Sequence, residues 1–246
     1  FSVTQDDLLT EEEVVQFWDL VEAADNLEIA SFVTHDVFKL DIKGNARNVI
    51  DGTWVRRWTT RNPPVIKSRC CGRGFLDVQR NDVNRHSSTA GIISHRLAMT
   101  YTALNHWTIE GFDVSTAFLR GLKFSEIHER ARALGHEVHK HRKVWLAPPA
   151  NVWRHLRLLG FCTVEDCERH LFCLALLKAM YGLVDGPLLF QLAFIHYLIN
   201  ELGFRSSLHD ENLLYLHVNR PLHEWSSGAG ATSIPLDCFA SLFYTW

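Results

Sequence analysis

Asp113 lies in the run Trp107-Thr-Ile-Glu-Gly-Phe-Asp-Val-Ser-Thr-Ala-Phe-Leu-Arg-Gly121, where a strand-like stretch gives way to small, helix-compatible residues. A carboxylate at a strand end is a rigid place to hold Mg²⁺, which is bound by one or two carboxylates, several waters and the phosphates of a substrate. The same position also suits a helix N-cap, with the carboxylate accepting from the amides of Ser115 or Thr116. A second candidate is Lys67-Ser-Arg69, in an extended stretch after the break at Asn62-Pro-Pro64. Side chains on a strand alternate with a period of two, so both cations fall on one face.

The elements that must position these residues can be read in outline. Thr10-Glu-Glu-Glu13 is a capping box that opens an acidic helix carrying Val14, Phe17, Trp18 and Val21 on one face. From Phe38 to Trp58 the pattern is strand-like, and the turn signal Asp51-Gly52 predicts a hairpin there. Residues 89–106 predict a helix with Ile92, Leu97, Met99, Ala103 and Leu104 free to pack, leading directly into the strand that ends at Asp113. Glu126 to Arg142 predicts an amphipathic, basic helix, weakened at Gly135. Asp185-Gly-Pro187 opens a long helix that Gly203 closes, and its apolar character almost all round predicts burial.

The composition of the 246 residues is that of an ordinary globular chain, and the formal charge of −3 excludes a uniformly basic nucleic-acid binder. The charge is nevertheless segregated. Residues 1–30 carry nine acids and no Lys or Arg. Residues 54–80 hold Arg56, Arg57, Arg61, Lys67, Arg69, Arg73 and Arg80 against Asp77 alone, a local net of +6. Residues 123–157 reach +5 on the same count. These two segments are either polyanion sites or solvated faces.

Six cysteines without regular pairing indicate reduced thiols and an intracellular location, in cytoplasm or nucleus. Cys162, Cys167, His170 and Cys173 form a C-x4-C-x2-H-x2-C cluster, but the spacing departs from short zinc knuckles and apolar neighbours favour thiols lining a core. His136, His139 and His141 fall in a basic stretch and read as solvated. The longest apolar stretch, Leu188 to Ile199, is interrupted by Gln191 and His196 and is too short to cross a bilayer, so no membrane association is expected.

Taken in order, several motifs resemble the reverse transcriptase domain of copia-type LTR retrotransposons. They are Gly52-Thr-Trp-Val-Arg-Arg-Trp58, Lys67-Ser-Arg69 with Gly72-Arg-Gly-Phe75, Phe112-Asp-Val-Ser-Thr-Ala-Phe-Leu-Arg-Gly121, Leu177-Lys-Ala-Met-Tyr-Gly-Leu183 with Gly186-Pro187, and Leu202-Gly-Phe204 with Ser206 and Asp210. The resemblance implies an RNA-directed DNA polymerase, a nucleotidyltransferase using Mg²⁺, with an RNA or DNA template-primer and a deoxynucleoside triphosphate as partners. It makes Asp113 the first metal-binding aspartate and the Val114 carbonyl a further ligand. Lys67 and Arg69 would contact the incoming triphosphate. Phe118 would stand beside the sugar and exclude a ribose 2′-hydroxyl. The turn from Met180 to Pro187 would support the templating base.

The family also needs two consecutive aspartates on a hairpin shortly beyond Tyr215, and no Asp-Asp pair follows that residue; only Asp237 remains. Two-metal phosphoryl transfer needs carboxylates holding ions about 3.5–4 Å apart, and one aspartate cannot do that. Cys70-Cys71 stands where the family has an aliphatic pair. The expectation is therefore an α+β fold: right-hand polymerase fingers and a partial palm, with an antiparallel sheet and packing helices, and the third palm motif absent. Residues 1–10 would be a tail, 11–215 the reverse-transcriptase-like region and 216–246 a divergent, poorly ordered segment. A non-catalytic nucleic-acid-binding module and a domesticated interaction domain are the alternatives.

Overall fold

The computed structural model describes residues 7–133, 141–217 and 237–241. Among them are six α-helices, a mixed five-stranded sheet and a small antiparallel sheet, an α+β arrangement. No described helix is long and apolar enough to cross a membrane. The chain divides into two units, residues 1–86 with 116–190 and residues 87–115 with 191–246.

In the first unit α1 (Glu11–Gln16) begins as its sequence dictates. The Thr10 hydroxyl accepts from the Glu13 amide at 3.2 Å, and the Glu13 carboxylate accepts from the Thr10 amide at 2.9 Å. Helix α2 (Trp18–Thr34) follows, burying Val21, Asp25, Glu28, Ile29 and Phe32. The sheet is built from β1 (Phe38–Ile42), β2 (Val49–Arg61), β3 (Pro64–Gly72), β4 (Trp145–Ala147) and β5 (Phe172–Leu176), in the order β1-β5-β4-β2-β3. Helix α4 (Phe124–Ala133) and helix α5 (Ala150–Leu158) belong to the same unit. The core gathers Ile29, Phe32, Phe38, Ile50, Leu146, Trp153, Leu156, Leu174 and Met180.

Two sequence expectations change here. Asp51-Gly52 is not a turn: β2 runs straight through it, with Gly52 opposite Gly72 on β3, and the hairpin turns instead at Asn62-Pro63. A Cβ on Gly52 would meet Pro149 Cδ at 2.9 Å and Leu146 Cδ1 at 3.3 Å, so this glycine serves close packing. The sheet is mixed, because β2 pairs in parallel with β4 while its other neighbours are antiparallel. The long chain between β2 and β4 permits a parallel crossover that a tight turn forbids.

A buried polar group ties loops to this core. Arg142 donates to Asp77 at 2.6 Å and to both oxygens of Asp185, at 2.8 and 3.2 Å, while Asn48 donates to Asp77 at 2.8 Å. Burial opposes ionisation of Asp77, but the bonds from Arg142 and Asn48 outweigh it and hold its carboxyl below the usual range.

The second unit contains α3 (Ile92–Leu104), the part of α6 (Gly186–Asn200) from Gln191 onward, and the sheet β6 (Arg205–Ser206), β7 (Leu213–His217) and β8 (Asp237–Ser241), with β7 in the centre. Helix α3 lies inside the predicted 89–106 but buries no residue: Ile92, Leu97, Met99 and Leu104 are all exposed. Its N-terminus begins at Gly91, which has no side chain to cap it, and Asp210 serves instead, accepting from the Gly91 amide at 2.7 Å and the Ser94 hydroxyl at 2.5 Å. Helix α6 starts at the expected Gly186-Pro187, and Gly203 follows its end with φ of 75°. Leu189, Phe190 and Leu198 are buried, whereas Leu192 and Tyr197 are exposed, so α6 is not covered all round as its composition suggested.

Candidate functional site

Strand β3 alternates as its sequence requires. Ile66, Ser68 and Cys70 are buried, and Lys67 and Arg69 point the other way. Antiparallel pairing places Arg57 of β2 directly opposite Lys67 and Val55 opposite Arg69. Cross-strand partners share a face, so Arg57, Lys67 and Arg69 form one cationic surface. The opposite face of β2 is structural: Arg56 binds Asp25 of α2 through Nε at 3.1 Å and a terminal nitrogen at 2.6 Å, and lies 5.2 Å from the Trp54 ring.

Ion pairs among the described residues absorb most other cations of the two basic segments. Arg61 pairs with Glu13, Arg73 with Asp51, Lys123 with Asp36, Arg142 with Asp77 and Asp185, Arg154 with Glu22, and Arg157 with Asp166. Arg57, Lys67 and Arg69 belong to none of these pairs. Of the Lys and Arg side chains described in 123–157, Lys123, Arg142, Arg154 and Arg157 are ion-paired and exposed Lys143 is in none of these pairs. Helix α4 is described as far as Ala133, residues 134–140, with His136 and His139, lie outside the described ones, and residues 141–144 are not helical.

Arg69 rests on an aromatic ledge. Its guanidinium carbon is 5.2 Å from the centre of the Tyr181 ring, and Tyr181 meets Phe118 edge-on at 5.5 Å. Phe118 sits on the 3-10 turn Ala117–Arg120, half-buried. Two of the sequence motifs are joined below this ledge, backbone to backbone. The Gly72 amide donates to the Tyr181 carbonyl at 2.8 Å. A Cβ on Gly182, where φ is 92°, would fall 2.0 Å from the Gly72 carbonyl oxygen, and one on Gly74 would fall 2.1 Å from that of Gly182. Only glycine permits this approach. Burial pushes the Tyr181 hydroxyl up to about 12, so it stays a neutral ring at ordinary pH.

Asp113 and Val114 belong to the second unit. The stretch 107–114 is coil and Asp113 is exposed, so the strand-end placement does not hold. Residues 107–114 pair with no strand of that unit's sheet, whose order is β6-β7-β8. Nor is Asp113 an N-cap: the N-cap position of the following turn is Thr116, in the left-handed region at φ 53°, and its side chain makes no capping bond. Phe112 beside it contacts the Phe194 ring of α6 with centroids 6.1 Å apart. Among the described residues no group of three or more His, Cys, Asp or Glu could hold a metal ion. Asp113 and the Val114 carbonyl therefore do not by themselves fit a two-ion Mg²⁺ centre.

The cysteine cluster is dispersed in environment: Cys173 is buried, Cys162 half-buried, and Cys167 and His170 exposed. The Cys173 thiol lies 3.7 Å from the Asp41 carbonyl, and burial raises it to about 11, as expected of an inert core thiol.

The chain matches no protein-family profile, no curated protein and no solved structure. Of the residues named from sequence, Lys67 and Arg69 share a face, and Arg69 is linked to Phe118 through Tyr181. Arg57 went unnoticed as a partner of Lys67. A hairpin turn placed at Asn62-Pro63 would have revealed it, since that turn sets the register.

Proposed function

We propose that this chain is derived from the reverse transcriptase domain of a copia-type retrotransposon, retaining a phosphate-binding face on a fingers-like hairpin and lacking nucleotidyl transfer. The observation that carries the reading is that, among the described residues, Arg57, Lys67 and Arg69 stand outside the ion pairs that hold Arg56, Arg61 and Arg73. Like charges set directly opposite on paired strands destabilise a sheet, and Arg57 faces Lys67 in direct register. A phosphate bridging them removes that repulsion, and fixed cations of this kind bind nucleic-acid backbones without reading sequence.

The family resemblance is supported by the packing of Gly72 and Gly74 against Tyr181-Gly182, which gives two of its motifs a common structural purpose. The family's chemistry is Mg²⁺-dependent, and the carboxylate this chain contributes by resemblance is that of Asp113. On this reading the partners are an RNA or DNA template-primer and deoxynucleoside triphosphates, bound at the face of Lys67 and Arg69 beside Phe118, with no turnover.

The test combines binding and chemistry on one preparation. The chain binds an RNA–DNA template-primer at low salt and does not extend the primer with Mg²⁺ and deoxynucleotides. Extension that disappears in Asp113→Ala would overturn the inactive assignment; absence of binding would remove the reading itself. A non-catalytic nucleic-acid-binding module is the second reading, favoured by the same cationic face. It predicts equal affinity for hybrids, single strands and duplexes, where a polymerase-derived face prefers the hybrid.

A further inference from the structure

Helices α1 and α2 are separated by a break at Phe17, whose backbone leaves the helical region at φ −109° and ψ 33°. The break is pinned from below. Phe17 meets the Trp58 ring of β2 edge-on at 5.1 Å, and Leu9, Val14, Phe17 and Ala24 pack on Val21, Trp58 and Ile66. The Leu9 amide donates to the Arg56 carbonyl at 3.0 Å, and the Glu13 carboxylate accepts from the Trp58 indole at 3.2 Å and from Arg61 at 3.0 Å. Anchored in this way, the outer side of the break is already shaped before any partner arrives, which lowers the cost of binding one.

On that outer side lies a hollow of about 360 Å³, open to solvent and lined by Val15, Gln16, Phe17, Trp18, Asp19 and Leu20. Phe17 is half-buried, whereas Val15 is 76% exposed, Trp18 is 43% exposed and Leu20 is exposed as well. Leu20 also begins a row with Ala23 and Leu27, at i, i+3 and i+7. All three are exposed, on the side of α2 away from buried Val21, Ile29 and Phe32. Contiguous apolar side chains left in solvent and rimmed by polar ones mark interaction sites.

The rim carries one sign of charge, since residues 1–30 hold no Lys or Arg. Three of the acids there are occupied: Glu13 by Arg61, Glu22 by Arg154 at 2.7 Å and Asp25 by Arg56. Among the described residues Glu11, Glu12 and Asp19 stand in none of the ion pairs, and all three are exposed. Asp19 lines the hollow, and Glu11 and Glu12 lie one turn before Val15 on α1.

We propose that this hollow is the docking site for a basic amphipathic helix of a partner protein, which seats apolar side chains against Val15, Trp18 and Leu20 and sets Lys or Arg opposite Glu11, Glu12 and Asp19. A helix suits the surface because the row Leu20, Ala23, Leu27 continues the apolar track along α2, and the small Ala23 lets a partner backbone come close. The exposed Trp18 ring is the kind of side chain that anchors such interfaces, and its face also accepts a cation. The opposing charges fix orientation and reject acidic competitors. The same carboxylates repel nucleic-acid phosphates, so this surface is separate from the cationic face of β2 and β3 and does not depend on the anion-binding reading.

The experiment uses the full chain, labelled with ¹⁵N, and two synthetic helical peptides with the same pattern of Leu, one carrying Lys and the other Glu at its polar positions. The Leu–Lys peptide binds, shifts the Trp18 indole and the Asp19 and Leu20 amide resonances, and loses affinity as salt rises. The Leu–Glu peptide does not bind. Replacing Val15 and Trp18 by Ser weakens binding of the Leu–Lys peptide roughly tenfold without moving the urea midpoint, because both side chains face solvent. Replacing Glu11 and Glu12 by Gln and Asp19 by Asn weakens it at low salt and flattens its salt dependence. Arg57→Gln with Lys67→Gln leaves it unchanged. Absence of binding by the Leu–Lys peptide, equal binding by the Leu–Glu peptide, or undiminished binding when Val15 and Trp18 are replaced would overturn the proposal.

Discussion

The Arg69 guanidinium and the Tyr181 ring stand 5.2 Å apart, and this contact joins the β2–β3 hairpin to a turn far away in sequence. The Arg69 Nε is buried with no hydrogen-bond partner among the described residues, so the ring, more than an acceptor, holds the side chain in place. Tyr181→Phe keeps the ring and leaves polyanion affinity unchanged. Tyr181→Leu removes the cation–π contact, worth about 0.5–1 kcal/mol, and weakens binding roughly two- to fivefold in a fluorescence titration.

Gly182 is the most constrained backbone position near the ledge. Alanine there would need φ of 92° and a Cβ 2.0 Å from the Gly72 carbonyl oxygen. Gly182→Ala lowers the unfolding free energy by about 3 kcal/mol or more, read from the urea midpoint. Gly44→Ala, where a Cβ would meet nothing within 4 Å, changes it little.

Glu28 makes stability depend on pH with a definite sign. Its carboxyl is raised from 4.5 in the unfolded chain to about 7 in the folded one, so the folded state holds the extra proton. The associated stability is fully present below pH 4.5 and is lost as pH rises through 7. Glu28→Gln removes that loss. The variant gains on the unaltered chain by up to roughly 3 kcal/mol between pH 4.5 and pH 8 in denaturant titrations, and equal curves would show that Glu28 is not held in this state.

Local rules were legible where one element decides the outcome. The Thr10–Glu13 capping box and the same-face placement of Lys67 and Arg69 need only their own helix or strand. The opening of α6 at Gly186-Pro187 is local too. Gly52 was read as a turn because the packing of Pro149 against it is invisible in sequence. Asp113 was read as a strand end because the apolar pattern before it does not reveal whether the segment finds a partner strand, and residues 107–114 are coil. The basic character of 123–157 was plain, but its carboxylate partners, such as Asp36 and Glu22, come from another part of the chain. Arg57 became visible as part of the site only once the register of β2 and β3 was fixed.

The measurement that bears most directly on the central claim is the affinity of the chain for an RNA–DNA template-primer as a function of salt. With three phosphates neutralised by Arg57, Lys67 and Arg69, log affinity falls with log salt at a slope of about −2 to −3. Replacing Arg57 and Lys67 by Gln, which leaves the Arg69–Tyr181 contact in place, lowers the slope to about −1 and weakens binding at low salt while leaving the urea midpoint close to that of the unaltered chain. Salt-independent binding, or an Arg57→Gln, Lys67→Gln variant that binds as well as the unaltered chain, would contradict the account.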